Sequence, residues 1–220
     1  LLVPSPPPAR RPEALVNAYA YPTIGSAVLD ETLPYLSFLC PFSRRLTLTG
    51  ELTPLDDEAL RERALDADAA PLLTVTNLGE SGGFSGRIGH AVLTDQTVQD
   101  TAFESILSVL SRGRWAGVNF NLEYLYPFDR DSYSQFLRRA ASVLHPRGYY
   151  LTTAIAPKES AEQEGLLYTA HDYAEHGRWA DYVVLMTYEW GYTYSAPQAV
   201  SPVDRIRRVL DYAVTVMIAS

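Results

Sequence analysis

The chain has 220 residues, 47% of them hydrophobic and 20% charged, a balance that suits one well-filled globular domain and excludes a disordered chain. Its formal net charge of -8 argues against a nucleic-acid partner, whose phosphates ask for a basic face. Charged residues or prolines interrupt every apolar run, so no membrane span is expected, and the single Cys40, set in an apolar run, reads as a packed hydrophobe that can form no intramolecular disulfide.

Residues 1–12 carry Pro4, Pro6, Pro7, Pro8 and Pro12 and read as a linker, because proline cannot enter a sheet or helix interior. The folded domain is expected over residues 13–220. Strand patterns are predicted at 16–22 and 33–39, followed by a helix that Asp56 or Asp57 starts and that runs through Leu60 and Ala64. A strand at 71–78 leads into a glycine-rich loop, 79–86. That loop formally contains Gly-x-Ser-x-Gly around Ser81, but a second glycine cluster stands where the nucleophile motif needs a helix, so no serine nucleophile is assigned. The spacing 82–86 also lacks the strand and helix context of a phosphate-binding loop. Thr94 or Asp95 starts a helix with Val98, Ala102, Ile106 and Val109 inward, and a strand follows at 116–125. Asp129 or Asp131 precedes a helix in which Tyr133, Phe136, Leu137 and Ala140 follow the i, i+3, i+4, i+7 rule. Strands are predicted again at 149–156 and 180–190, and a last helix from about Pro202 carries Val203, Ile206, Leu210 and Ala213 on one side. Repeated β-then-α order implies an α/β barrel or an open doubly wound sheet.

The segment 115–126 is the most informative. Apolar residues alternate with Asn119, Asn121 and Glu123, so the three polar groups share one face of a strand, and the flanks suit a buried central strand. A carboxylate delivered at a strand's end is a candidate acid, and a polar strand end favours the barrel, whose sites lie at the C-terminal ends of its strands. The alternative is a structural network at a barrel rim. The four histidines lack the spacing of a zinc helix and no cysteine set accompanies them, so neither a metal nor another cofactor is expected; His171 and His176, in a charged stretch, are expected at the surface.

The run Asn119-Phe120-Asn121-Leu122-Glu123 resembles the fourth-strand signature of glycoside hydrolase family 18, Asp-x-x-Asp-x-Asp-x-Glu, and in particular its branch of bacterial spore-cortex-lytic N-acetylglucosaminidases, in which the second Asp is commonly Asn. The stretches 17–22, 33–37, 41–43, 71–78, 135–138, 156–158 and 184–191 are similar to that branch in the same order, so the likeness covers nearly everything from Val16 on. Leu1-Leu2-Val3-Pro4 is similar to the end of a LysM repeat, a peptidoglycan-binding module.

The resemblance implies an α/β fold of (β/α)8 TIM-barrel type, of which this chain carries six βα units, so the barrel is expected to be truncated after the sixth. It implies a glycosidase of peptidoglycan, spore cortex or chitin-like glycan, working by substrate-assisted hydrolysis without an enzymatic nucleophile. Glu123 would be the acid and later the base, Asn121 would orient the acetamide, and Tyr188 would donate its hydroxyl to the acetamido oxygen. Met186 and Trp190 would shape an apolar wall for the sugar, with Tyr19, Asn77, Asn119 and Glu189 as further substrate contacts. The resemblance also implies a location in the cell envelope, the spore or outside the cell. Two departures from the signature stand out: Asn121 and Ala116 occupy positions where the family has Asp. A neutral Asn121 accepts a hydrogen bond but brings no charge, which implies a slowed hydrolase or, as the alternative, a silent glycan-binding domain. A purely structural wall protein does not need Glu123, Tyr188 and Glu189 together.

Overall fold

The structure, a computed structural model, describes residues 14–191 and 194–217. The linker and the LysM-like residues 1–12 lie outside the described residues. Among the described residues seven parallel strands make one sheet: β1 (Asn17–Ala20), β2 (Phe38–Pro41), β3 (Arg44–Arg45), β4 (Ala70–Thr76), β5 (Gly117–Asn121), β6 (Tyr150–Ile155) and β7 (Tyr182–Leu185). Their order is β1-β2-β4-β5-β6-β7, with the two-residue β3 continuing alongside the end of β4 where β2 has stopped. Hydrogen bonding shows that the sheet is curled. The Tyr19 hydroxyl on β1 donates to Asn119 Oδ1 on β5 at 3.0 Å, across the interior, although β2 and β4 lie between those strands in the sheet. The result is the strand-and-helix part of a parallel barrel, as the α/β reading required.

Among the described residues seven helices cover the outside: α1 (Ser26–Thr32), α2 (Glu58–Asp66), α3 (Gly86–Thr94), α4 (Gln96–Arg112), α5 (Arg130–Leu144), α6 (Tyr173–Trp179) and α7 (Val203–Val216). Asp95 starts α4 as expected, its carboxylate accepting from the backbone N–H groups of Thr97 and Val98. Asp57 precedes α2 but its carboxylate is spent elsewhere, on a buried ion pair with Arg44 at 3.0 Å. The main core lies between the sheet and α3, α4 and α5. There Phe136 stands edge-on to Phe120 of β5 at 5.1 Å and stacks on Phe103 of α4 at 5.3 Å.

Several expectations need correction. Residues 33–35 form a 3-10 turn, with Pro34 near its start, and the strand expected at 33–39 begins only at Phe38. The last strand stops at Leu185 rather than running to Trp190. Helices α1, α3 and α6 were not anticipated; α3 follows the glycine loop directly, its first turn capped by the Ser85 hydroxyl. His171 and His176 are buried, not at the surface. On α7 the buried residues are Val209 and Ala213, while Val203 and Leu210 face outward with Val214, so the inward face is rotated from the one expected.

Candidate active site

Strand β5 explains itself residue by residue. Val118 and Phe120 point outward into the helix layer and are fully buried, which turns Asn119 and Asn121 into the barrel. Gly117 has no room for a side chain, since a Cβ there would meet the Tyr150 carbonyl oxygen of β6 at 2.2 Å. Asn119 sits deep, accepting from Tyr19 and donating to Thr152 Oγ1 of β6 at 2.8 Å, so a polar row crosses the interior below the strand ends. Asn121 is one layer higher, at the end of β5. Its Oδ1 is buried and has no hydrogen-bond partner in the protein.

Above that layer, at the C-terminal ends of the strands, opens a cleft of about 910 Å³. Asn121 and Glu123 form its base, with Tyr19 on β1 and Tyr21 just after it, Met186, Tyr188, Glu189 and Trp190 following β7, and Phe42, Phe84, Tyr124 and Tyr168 around the rim. Glu123 is half-buried, and burial pushes its carboxyl up to about 7; the Asn121 side chain works against the shift and the nearby Glu189 carboxylate adds to it. Burial, with Glu123 and Glu189 close by, likewise raises the Tyr188 hydroxyl above the usual phenol range, so it is a hydrogen-bond donor at neutral pH. The Trp190 ring is backed by the Arg205 guanidinium of α7, 5.5 Å from its centroid. A carboxyl that holds its proton near neutrality, the side chain of Asn121 and a phenol donor therefore converge on a cleft walled by aromatic rings. Such walls suit the apolar faces of pyranose rings.

Of the residues singled out from the sequence, Glu123, Asn121, Tyr188, Tyr19, Met186, Glu189 and Trp190 all line the cleft. Asn119 and Asn77 do not. Asn119 is used up within the polar row, and Asn77, fully buried just beyond β4, bonds to the backbone of Glu123. The rim aromatics Tyr21, Phe42, Phe84, Tyr124 and Tyr168 were missed, although Tyr21, Phe42 and Tyr124 stand within three residues of a strand's C-terminal end, the signal that a barrel offers for its site. Among the described residues no group of three or more His, Cys, Asp or Glu side chains could hold a metal ion, and no helix is long and apolar enough to cross a membrane.

No protein-family model matches the chain. It is 40% identical over 221 residues to the cortical fragment-lytic enzyme of Bacillus subtilis (strain 168), a match spanning 97% of this chain and 51% of that enzyme. The crystal structure of the spore cortex-lytic enzyme SleL of Bacillus cereus superposes with a TM-score of 0.85 at 33% identity, covering 91% of this chain and 48% of that one. A chitinase from Chromobacterium violaceum shares the fold with a TM-score of 0.83 at 23% identity, over 93% of this chain and 65% of that one. The chain thus spans about half the length of the cortex-lytic relatives it matches. In sequence and fold alike, the chain is similar to spore cortex-lytic enzymes, the branch of glycoside hydrolase family 18 that residues 119–123 resemble.

Proposed function

We propose that this chain carries the acid-bearing part of a glycosidase that cleaves N-acetylglucosamine-containing glycan, peptidoglycan or spore cortex, with chitin oligomers as the alternative substrate of the same class. The observation that carries the reading is Glu123, a carboxyl kept protonated to about pH 7 by burial at the base of the cleft. In this reading Glu123 gives its proton to the glycosidic oxygen as the bond to the anomeric carbon breaks. The acetamido oxygen of the same sugar attacks that carbon, forming a bicyclic oxazolinium. Glu123, now a carboxylate, then takes a proton from water as the water opens the ring, and configuration is retained.

Asn121 lines the cleft and is the residue assigned to the acetamide N–H. Its Oδ1, buried and without a partner in the protein, would accept that hydrogen bond once the amide turns it toward the sugar, satisfying an acceptor that otherwise costs about 1–3 kcal/mol. Tyr188 supplies the hydroxyl that donates to the acetamido oxygen, and Tyr19, Met186 and Trp190 shape the wall for the sugar. Glu189 is the other carboxylate of the cleft; it raises the proton affinity of Glu123 and is a further contact for the glycan. The names of the relatives, lytic for cortex fragments in one and for spore cortex in the other, support the substrate class and a place in the spore or cell envelope. An upstream LysM module would tether such an enzyme to peptidoglycan. A second reading, a catalytically silent glycan-binding domain, is favoured by one observation: Asn121 brings no charge to the oxazolinium.

The test is to compare N-acetylglucosamine oligomers with the 2-hydroxy analogues and to follow the first-formed anomer by NMR. Substrate assistance gives cleavage with retention of the former and none of the latter. Equal cleavage of both, or inversion, would sink the mechanism, and binding without cleavage would leave the binding module.

A further inference from the structure

The backbone ladder between β4 and β5 ends at the pair Thr76–Asn121, so Leu122 and Glu123 lie beyond the last strand partner. Their main-chain groups are held by side chains instead. Asn77 Oδ1 accepts from the Glu123 N–H at 3.0 Å, and Asn77 Nδ2 donates to the Glu123 carbonyl at 2.8 Å and to the Ser85 carbonyl at 3.1 Å. On the other side, His171 Nε2 donates to the Leu122 carbonyl at 3.0 Å, while its Nδ1 accepts from the Ala156 N–H at 3.1 Å. Both rings of contact are closed to water, since Asn77 is fully buried and His171 nearly so. The next residue, Tyr124, turns the chain away in the left-handed region with φ 52, a conformation that a non-glycine residue keeps only where its surroundings dictate it.

We infer that Asn77 and His171 are positioning residues, which suspend the acid-bearing segment between the ends of β4 and β6 and so fix where the Glu123 carboxyl stands in the cleft. The geometry is suited to this. Asn77 lies one residue past β4 and Ala156 one residue past β6, the two neighbours of β5, so the acid is aimed by the strands on both sides of its own. Asparagine is required for the first clamp because only an amide offers both an acceptor and two donors from one planar group, and all three are used. The helix α3 is pressed close to it: a Cβ on Gly89 would lie 3.3 Å from Asn77 Nδ2 and 2.3 Å from Leu125 Cδ2. His171 must be neutral to bridge, because its Nδ1 is an acceptor.

This inference rests on the hydrolase reading for its kinetic consequence, though not for its geometry, and the experiment separates the two. Asn77→Ala, Asn77→Asp and His171→Phe would be made in the full chain. Turnover of an N-acetylglucosamine oligomer, the Glu123 carboxyl titration by NMR and the thermal midpoint are then measured for each. A misplacement of about 1 Å at a reacting group costs on the order of 10²-fold. Asn77→Ala is therefore expected to lower kcat by about 10- to 100-fold with KM held within about threefold, and to move the Glu123 titration midpoint below the parent's as the freed carboxyl reaches water. Asn77→Asp, which keeps the acceptor for the Glu123 N–H, should retain more turnover than Asn77→Ala at pH 5. If Asn77→Ala fails to fold, His171→Phe, which fills the space of the ring but has no donor for the Leu122 carbonyl and no acceptor for the Ala156 N–H, carries the test with the same two readouts. A folded variant whose Glu123 titrates as in the parent and whose kcat is unchanged would overturn the inference. A parent that cleaves nothing would overturn the hydrolase reading, while the titration readout would still decide the positioning role.

Discussion

At the scale of single residues, Glu123 owes its proton affinity to where it sits rather than to a carboxylate two positions earlier. Burial is the main cause of its rise to about 7, Asn121 opposes it, and Glu189 adds a smaller push. Replacing Asn121 by Asp would set a second carboxylate beside the first, and the pair would titrate jointly, with one apparent value higher than in the parent. An acid must be protonated to act, so turnover falls as pH rises through that value. Asn121→Asp should therefore shift the basic limb of the pH profile to higher pH. Under the proposed mechanism the same substitution would restore charge opposite the oxazolinium, an effect worth up to about 10² in kcat. A pH profile of turnover for both proteins on one oligomer checks this. An Asn121→Asp protein that is no faster and whose limb does not move would remove the electrostatic role assigned to position 121, and the binding-module reading would gain.

At the scale of elements, α5 holds the barrel wall and α6 its polar interior. Tyr133, Phe136, Leu137, Ala140 and Leu144 of α5 are fully buried, and Phe136 touches aromatic rings on α4 and β5, so Phe136→Ala should destabilise by about 3–5 kcal/mol in chemical unfolding. His171, just ahead of α6, and His176 on it are buried as neutral imidazoles; burial lowers His171 to about 4 and His176 well below the usual value. The unfolded chain takes up protons at these positions near pH 6.5 and the folded chain only at lower pH. Each therefore removes stability as pH falls below about 6.5, by up to about 1.4 kcal/mol per pH unit, until its folded value is reached. Denaturant unfolding at pH 7 and pH 5 should show that loss, and His176→Phe, tolerated or not at neutral pH, should flatten it. A slope unchanged by the substitution would contradict this assignment.

These elements also show what could be read in advance. Helix α5 was legible because Tyr133, Phe136, Leu137 and Ala140 repeat at helical spacing and face one core. Helix α6 was not, being two turns long with a buried histidine where a stripe of apolar residues would have announced it. Residues 33–35 misled because an apolar run looks like a strand until Pro34 turns it. The polar face of β5 and the Glu123 carboxyl just beyond its end were visible as alternation. What Asn77 and Asn119 do was not, because their partners lie far along the chain: Glu123 is 46 positions from Asn77, and Tyr19 is 100 from Asn119. Residue type alone cannot say whether a buried amide faces a ligand or a backbone.

At the scale of the whole molecule, a curled parallel sheet gathers the ends of its strands around one cleft and keeps its polar residues on the inner side. Among the described residues β1 and β7 each pair with one neighbour, Val203, Leu210 and Val214 of α7 stand exposed, and Trp190 forms part of the last wall of the cleft. That wall depends on α7, whose Arg205 backs Trp190. Everything in this arrangement converges on one carboxyl. The most direct test is turnover of an N-acetylglucosamine oligomer by the parent and by Glu123→Gln at pH 6, where the parent's acid holds its proton. Glutamine keeps the shape and has no proton to give, so a loss of at least about 10²-fold with the fold intact by circular dichroism is the expected result. Equal rates for the two proteins would show that Glu123 is not the acid and that the cleft works, if at all, by other groups.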